Sequence, residues 1–239
     1  MKIKRAFTLL RAIVPALGIC TYGIGKEEES GSAVPRRDEY QPGSYVTFGL
    51  YPQTEAGTDQ TPIEWLVLEN DGEMALLISR YALECQLYNT RWAGKTWKRC
   101  TLRKWLNNKF YNRAFDAEEK KRILRSNVNV DKNPLSKTKP GKVTKDSVFL
   151  LNIVEANQYF ASDEERMCAA TDYAIQQGGY TDDNYTVDGR DACWWWLRSP
   201  GIDSSYAASV YSDGSIRDYG GDIYYGGRTV RPCIRVRLS

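Results

Sequence analysis

From Gly201 to Arg228 nearly every residue is Tyr, Ser, Asp, Gly or Arg, a set whose chemistry is recognition and not bond-making. Tyr offers rigid amphipathic contact area, Ser, Asp and Gly offer adaptable hydrogen bonding, and Arg serves as an energetic anchor. Ala208, Val210, Ile216 and Ile223 interrupt the tract at spacings that suit the buried positions of short strands, with Asp213-Gly214 and Gly220-Gly221 as turns between them. Low complexity alone would give a disordered tail. The tract is instead bracketed by core signals, the Trp194-Trp195-Trp196 run before it and the alternating Val230, Ile234, Val236 and Leu238 after it. It is therefore expected to form a sheet that presents polar loops.

Catalysis has little to work with. The chain contains no His, which removes the commonest general base, the commonest zinc ligand and every Ser-His or Cys-His nucleophile pair. Six cysteines, Cys20, Cys85, Cys100, Cys168, Cys193 and Cys233, are widely spaced without a Cys-x-x-Cys, so they indicate no zinc site and leave disulfide connectivity open. If Cys20 serves another purpose, five remain, and at least one thiol is free or pairs between molecules. Asp182-Asp183-Asn184 and Asp188 lie close together, but such a loop is read as a solvated turn before a calcium site. No metal and no cofactor are expected, and the chain is read as a binding protein, not an enzyme.

The elements that must position the tract are legible in outline. At 239 residues and 42% hydrophobic content the chain can bury one good core. Seven Trp and sixteen Tyr make it rich in aromatic side chains, which favours a binding protein, with a large aromatic core expected to account for most of the Trp. Tyr45-Val46-Thr47-Phe48 reads as a strand, and Glu64–Glu69 with Met74–Ser79 as a hairpin about Asp71-Gly72. Leu102, Trp105, Leu106 and Phe110 form one helical stripe facing a core. Asp116 with Glu119, and Asn152 with Glu155 after the strand Ser147–Leu151, carry capping-box spacing, so these carboxylates are read as helix caps. Residues 131 to 145, with Pro134, Pro140, Gly141 and several Lys, read as an exposed loop. Short strands interrupted by two or three helices, without regular alternation, argue for an α+β domain with a mixed or antiparallel sheet.

The amino-terminal end has another character. Lys2, Lys4 and Arg5 precede an apolar stretch that reaches Leu17-Gly18-Ile19-Cys20, the layout of a secretory leader ending at a lipobox-like cysteine. Arg11 within that stretch and the bulky Ile19 depart from the usual pattern. Residues 1–20 are read as this leader, with Cys20 as the lipidation site, residues 21–43 as a flexible tether, and 44–239 as the folded domain. Without the four basic leader residues the formal charge of +3 becomes 29 basic against 30 acidic residues, which leaves no basic footprint for nucleic acid.

Several motifs in order also identify a family resemblance. They are Phe48-Gly49-Leu50-Tyr51-Pro52-Gln53, Ile63-Glu64-Trp65-Leu66-Val67-Leu68, Leu102-Arg103-Lys104-Trp105-Leu106-Asn107, Trp195-Trp196-Leu197-Arg198-Ser199-Pro200-Gly201, and Val230-Arg231-Pro232. Together they run from about residue 43 to 238 and resemble the Treponema variable protein (TvpA) type, surface lipoproteins diversified by a retroelement. That resemblance implies a C-type lectin fold of the formylglycine-generating-enzyme variety, shared with the major tropism determinant of Bordetella phage. It implies that a reverse transcriptase rewrites adenines across a variable region of about 202–228. Carried over position by position, the variable, ligand-facing residues would be Asp203, Ser204, Ser205, Tyr206, Tyr211, Ser212, Asp213, Ser215, Arg217, Asp218, Tyr219, Asp222, Tyr224 and Tyr225. Ala207, Val210, Gly214, Ile216, Gly220 and Ile223 would be scaffold, and Arg198 and Arg231 would each pair with backbone or acidic groups beneath the face.

The expected function is thus a surface-displayed monomer on the bacterial cell exterior that binds a protein or glycan, touching the membrane only through its lipid. Two alternatives belong to other classes. A formylglycine-generating-like oxidase would need a close cysteine pair, for which Cys193 and Cys233 are the candidates the fold could bring together; shared fold does not carry shared chemistry. A structural envelope or phage component would pack the tract against sister subunits.

Overall fold

The computed structural model describes residues 35–238. The leader, the greater part of the expected tether, and Cys20 lie outside the described residues. In chain order the strands are β1 (Tyr45–Tyr51), β2 (Thr61–Asn70), β3 (Met74–Ser79), β4 (Glu84–Cys85), β5 (Ser126–Val128), β6 (Thr144–Asp146), β7 (Val148–Phe149), β8 (Thr181–Val187), β9 (Arg190–Cys193), β10 (Trp195–Pro200), β11 (Tyr206–Val210), β12 (Ile216–Asp222), β13 (Thr229–Val230) and β14 (Cys233–Arg237). The helices are α1 (Thr101–Trp105), α2 (Tyr111–Ala114), α3 (Ala117–Arg122), α4 (Ile153–Tyr159), α5 (Asp163–Arg166) and α6 (Asp172–Gln176).

Two five-stranded sheets dominate this α+β architecture. One has the order β1-β2-β3-β14-β7 with every pair antiparallel. The other, β12-β11-β10-β13-β4, is mixed, because β10 and β13 run parallel. Two small hairpins, β5-β6 and β8-β9, complete the set. Only Arg231 and Pro232 separate β13 from β14, so a single short segment passes from one sheet to the other. Arg231 fixes that crossing: its Nε donates to the Ser79 carbonyl at 2.9 Å, and its guanidinium lies over the Trp195 and Phe160 rings.

Local rules account for much of this. β2 alternates buried Ile63, Trp65 and Val67 with more exposed neighbours, as a strand with one covered face must. Its turn is closed by the Asp71 carboxylate, which accepts from the Glu73 and Met74 amides at 2.9 and 2.8 Å, and by Gly72 at φ +90°, a conformation glycine adopts without strain. The helical stripe continues through a π-helical turn, Leu106–Phe110, between α1 and α2. Leu102, Leu106 and Phe110 are buried as expected, while Trp105 is only half-buried. Both capping boxes form, and Glu119 in addition accepts from the Gly49 amide at 2.7 Å.

Three expectations need correction. Counting the continuous run 101–114 once, the described residues contain five helical segments, not two or three. The additional ones, α5 and α6, are too short for periodicity to reveal and are held by the caps Ser162 and Thr171. The tether does not extend to residue 43: Arg37–Glu39 forms a 3₁₀ turn and the Tyr40 ring is fully buried. Its backbone carbonyl accepts from Asn70 Nδ2 at 2.7 Å, so one aromatic anchor orders an otherwise polar stretch. The loop 131–145 exposes its lysines, but Asn133 is completely buried and supports the C-terminal tract. Among the described residues, no helix is long and apolar enough to cross a membrane.

Candidate functional site

The Tyr/Ser/Asp/Gly tract is an ordered part of the mixed sheet. β11 is buried at Ala207, Ala208, Ser209 and Val210, and pairs with the edge strand β12, which exposes Arg217 and Tyr219. Three aspartates punctuate the chain in the same way. Asp203 accepts from the Ser205 amide at 2.6 Å, Asp213 from the Ser215 amide at 2.9 Å, and Asp222 from the Tyr224 amide at 2.9 Å. Each carboxylate thereby closes a turn over its own backbone two residues on. Burial opposes ionisation of Asp213, but the Ser215 hydroxyl at 2.6 Å and the Ser215 amide outweigh it and hold the carboxyl below its usual range. Gly214, at φ +77°, sits so close to α5 that an added Cβ would run into the Asp163 carbonyl.

The body supports the tract from two sides. Asn133 Nδ2 donates to the carbonyls of Pro200 at 2.9 Å and Asp218 at 2.6 Å, and Thr138 Oγ1 donates to the Ile202 carbonyl at 2.6 Å. On the other side, the Lys95 amide donates to the Ser204 carbonyl at 2.8 Å and the Asn89 amide to the Ile223 carbonyl at 3.0 Å. Rigid support of this kind reduces the entropy that loops lose on binding.

The aromatic residues fall into three groups. Trp92 is 81% exposed and lies flat on Tyr224, with ring centroids 4.7 Å apart and planes 17° apart; Tyr225 beside it is 64% exposed. Tyr206 and the 53%-exposed Tyr219 meet edge to face at 5.9 Å. In the third group Trp194 lies between Tyr180 at 4.5 Å and Tyr211 at 4.4 Å, and the Arg217 guanidinium caps Tyr211 at 4.5 Å. Beneath it, buried Arg228 lies over Trp196 and Trp194 at 4.8 and 5.4 Å and reaches Ser209 Oγ at 3.4 Å. Burial lowers the Arg228 pKa from its ordinary value, opposed by Tyr211 and Asp222. Tyr224 is pushed up, first by partial burial and then by the charge of Asp222.

Of the residues the sequence marked as ligand-facing, Asp203, Ser204, Arg217, Tyr219 and Tyr225 are exposed. Ser205, Tyr206, Tyr211, Asp213, Ser215, Asp218, Asp222 and Tyr224 are half-buried. Ser212 is a correction: it is buried, and its hydroxyl donates to Asp182 Oδ2 at 3.1 Å, tying the tract to the β8-β9 hairpin. Sequence reasoning missed Trp92 and Tyr180, which lie outside the compositional tract, and read Trp194 only as an extra core residue. An isolated Trp in the polar stretch Asn89–Lys95 was the available signal for the first.

Arg198 is fully buried and donates to the Asn129 carbonyl at 2.9 Å, to the Leu150 carbonyl, and to both Glu155 oxygens, one of them at 2.6 Å. The Asp cluster is occupied within the protein, since Asp188 pairs with Arg80 at 2.8 Å and Asp182 accepts from Asn184 and Ser212. Among the described residues no group of three or more Cys, Asp or Glu is arranged to hold a metal ion.

Fold and site together define a two-sheet α+β domain that carries an ordered aromatic and polar face on the edge of its mixed sheet. The chain belongs to the family described as a domain of unknown function, DUF6273, which matches residues 72–238 and so includes that whole face. No curated protein and no solved structure matches the chain.

Proposed function

We propose that this protein is a surface-displayed binding protein, and that its C-terminal face, joined by Trp92, takes a protein or glycan ligand. The single observation that carries the reading is the 81%-exposed Trp92 held flat against Tyr224, next in the chain to the exposed Tyr225. A Trp so exposed has no stabilising task that explains its exposure, whereas interfaces draw their energy from a few such rings. The supporting hydrogen bonds under the tract keep the face preorganised, as a binding surface requires.

The TvpA-like resemblance supplies the rest of the proposal. Under it the two sheets are a C-type lectin fold, the region 202–228 is rewritten by a retroelement, and the chain is exported and anchored through a lipid on Cys20 as a non-catalytic monomer. The Asp203, Asp213 and Asp222 turns fit a diversified surface, because local caps can change without disturbing the core.

The experiment replaces Trp92, Tyr219 and Tyr225 with Ala together and measures both thermal unfolding and adhesion of cells displaying the chain. Adhesion should be lost with the Tm unchanged; adhesion at the wild-type level would refute the reading. Diversification has its own check in the neighbouring DNA. A near-copy of the tract beside a reverse transcriptase gene, with mismatches confined to adenines, is the expected finding.

A further inference from the structure

Cys168 and Cys193 oppose each other across two antiparallel segments. Ala169 and Ala192 bridge the segments, and the Cys193 amide donates to the Cys168 carbonyl at 2.8 Å. Residues directly opposite on antiparallel segments have Cα atoms about 4.5–5.5 Å apart, inside the range that a disulfide spans. Both side chains are fully buried: the Cys168 thiol donates to the Ala169 and Arg80 carbonyls at 3.4 and 3.5 Å, and Cys193 Sγ lies 3.2 Å from Thr229 Oγ1. All five described cysteines carry free thiols, and the pair that the backbone sets opposite each other is Cys168 with Cys193.

We propose that Cys168 and Cys193 are a redox pair that closes into a reversible disulfide beneath the recognition face. The oxidant is a disulfide, either a small oxidised thiol or a protein dithiol oxidant. The Cys168 thiolate attacks one sulfur of that disulfide and expels the first oxidant thiolate. Cys193 then loses its proton and attacks the Cys168 sulfur, expelling the second. The pair gives up two electrons and two protons, and the oxidant is reduced to two thiols.

The surroundings favour this order. Burial opposes charge on both thiols, but at Cys168 the neighbouring Cys193 thiol and the nearby Arg231 guanidinium outweigh it and hold the thiol below its usual range, while Cys193 is pushed up. Arg231 Nη1 is a buried donor with no acceptor among the described residues, and its charge favours a thiolate at Cys168. Access comes through β8, which pairs with the strand carrying Cys193 and whose residues are mostly exposed, so the β8-β9 hairpin can open locally.

Closure would bind the ends of the segment that includes α6 and this hairpin. That segment places Tyr180 against Trp194 and Asp182 against Ser212, so oxidation would stiffen one margin of the recognition face.

The test incubates the folded wild-type chain with oxidised glutathione, then denatures, alkylates and digests it for peptide mass mapping. The expected product is one cross-linked peptide pair holding Cys168 and Cys193, lighter by two hydrogens, with Cys85, Cys100 and Cys233 alkylated. The oxidised chain should show a Tm higher by about 5 °C or more, reversed by dithiothreitol. Cys168→Ser should abolish both the cross-link and the shift. Recovery of Cys168 and Cys193 as separately alkylated peptides, or of either one joined to another cysteine, would overturn the proposal. The wild-type map decides the matter even if the variant does not fold.

Discussion

At the residue scale, exposure separates side chains that hold the fold from those free to do something else. Trp65 and Trp196 are fully buried, and their indole nitrogens donate to the Phe48 carbonyl at 2.6 Å and the Gln86 carbonyl at 3.0 Å. Trp92 has no such role. Trp92→Ala should therefore change unfolding free energy by no more than about 0.5 kcal/mol, whereas Trp65→Ala should cost about 3–5 kcal/mol; urea titration of the two variants checks the contrast. Arg198 is the opposite case, a buried cation whose charge is met by Glu155. Glu155→Gln retains an acceptor for the helix cap but removes the counter-charge, and it should lower stability by about 3 kcal/mol or more. A loss below about 1 kcal/mol would show that the backbone carbonyls of Asn129 and Leu150 suffice for the guanidinium.

At the element scale, turns closed by side chains determine where strands begin and end. Asp59 does this between β1 and β2. Partial burial works to raise its carboxyl, but the Thr54 and Thr61 hydroxyls and the Gln53 and Thr54 amides donate to it and outweigh that effect, holding it well below the usual range. A carboxyl whose folded pKa is depressed adds stability above its unfolded value of about 4, and this contribution is lost as the pH falls further toward the folded value. The Tm gap between wild type and Asp59→Asn should therefore be largest near neutrality and shrink below about pH 4. A gap constant with pH would assign the effect to shape instead of charge. This scale also marks how far the sequence could be read. The Asp71-Gly72 hairpin and both capping boxes were legible because their signals are local. The π-helical turn at Leu106–Phe110 and the burial of Asn133 were not, because each depends on what packs against it from a distant part of the chain.

At the scale of the whole molecule, long-range pairing does what no periodicity announces. β14 enters the first sheet between β3 and β7, β13 lies parallel to β10, and the face rests on loops more than sixty residues away in sequence. The composition of residues 201–228 could indicate what the face is made of, but not that Trp92 joins it. The N-terminal closure has the same character and yields a sharp test. A boundary at residue 44 follows from polarity alone, yet Tyr40 is completely buried, Asn70 donates to its backbone carbonyl, and the Ser44 carbonyl accepts from the Val67 amide at 2.9 Å. Arg37 reaches the Gly72 carbonyl across the β2-β3 turn. A chain beginning at Pro35 should therefore unfold cooperatively, while one beginning at Ser44 loses the Tyr40 ring from the core and about 3 kcal/mol of stability or more. Urea unfolding of the two chains, followed by Trp fluorescence, distinguishes these outcomes. Equal midpoints would mean that the segment 35–43 lies on a core already closed without it. A lower midpoint for the shorter chain, with an unchanged slope, would make Tyr40 part of the domain.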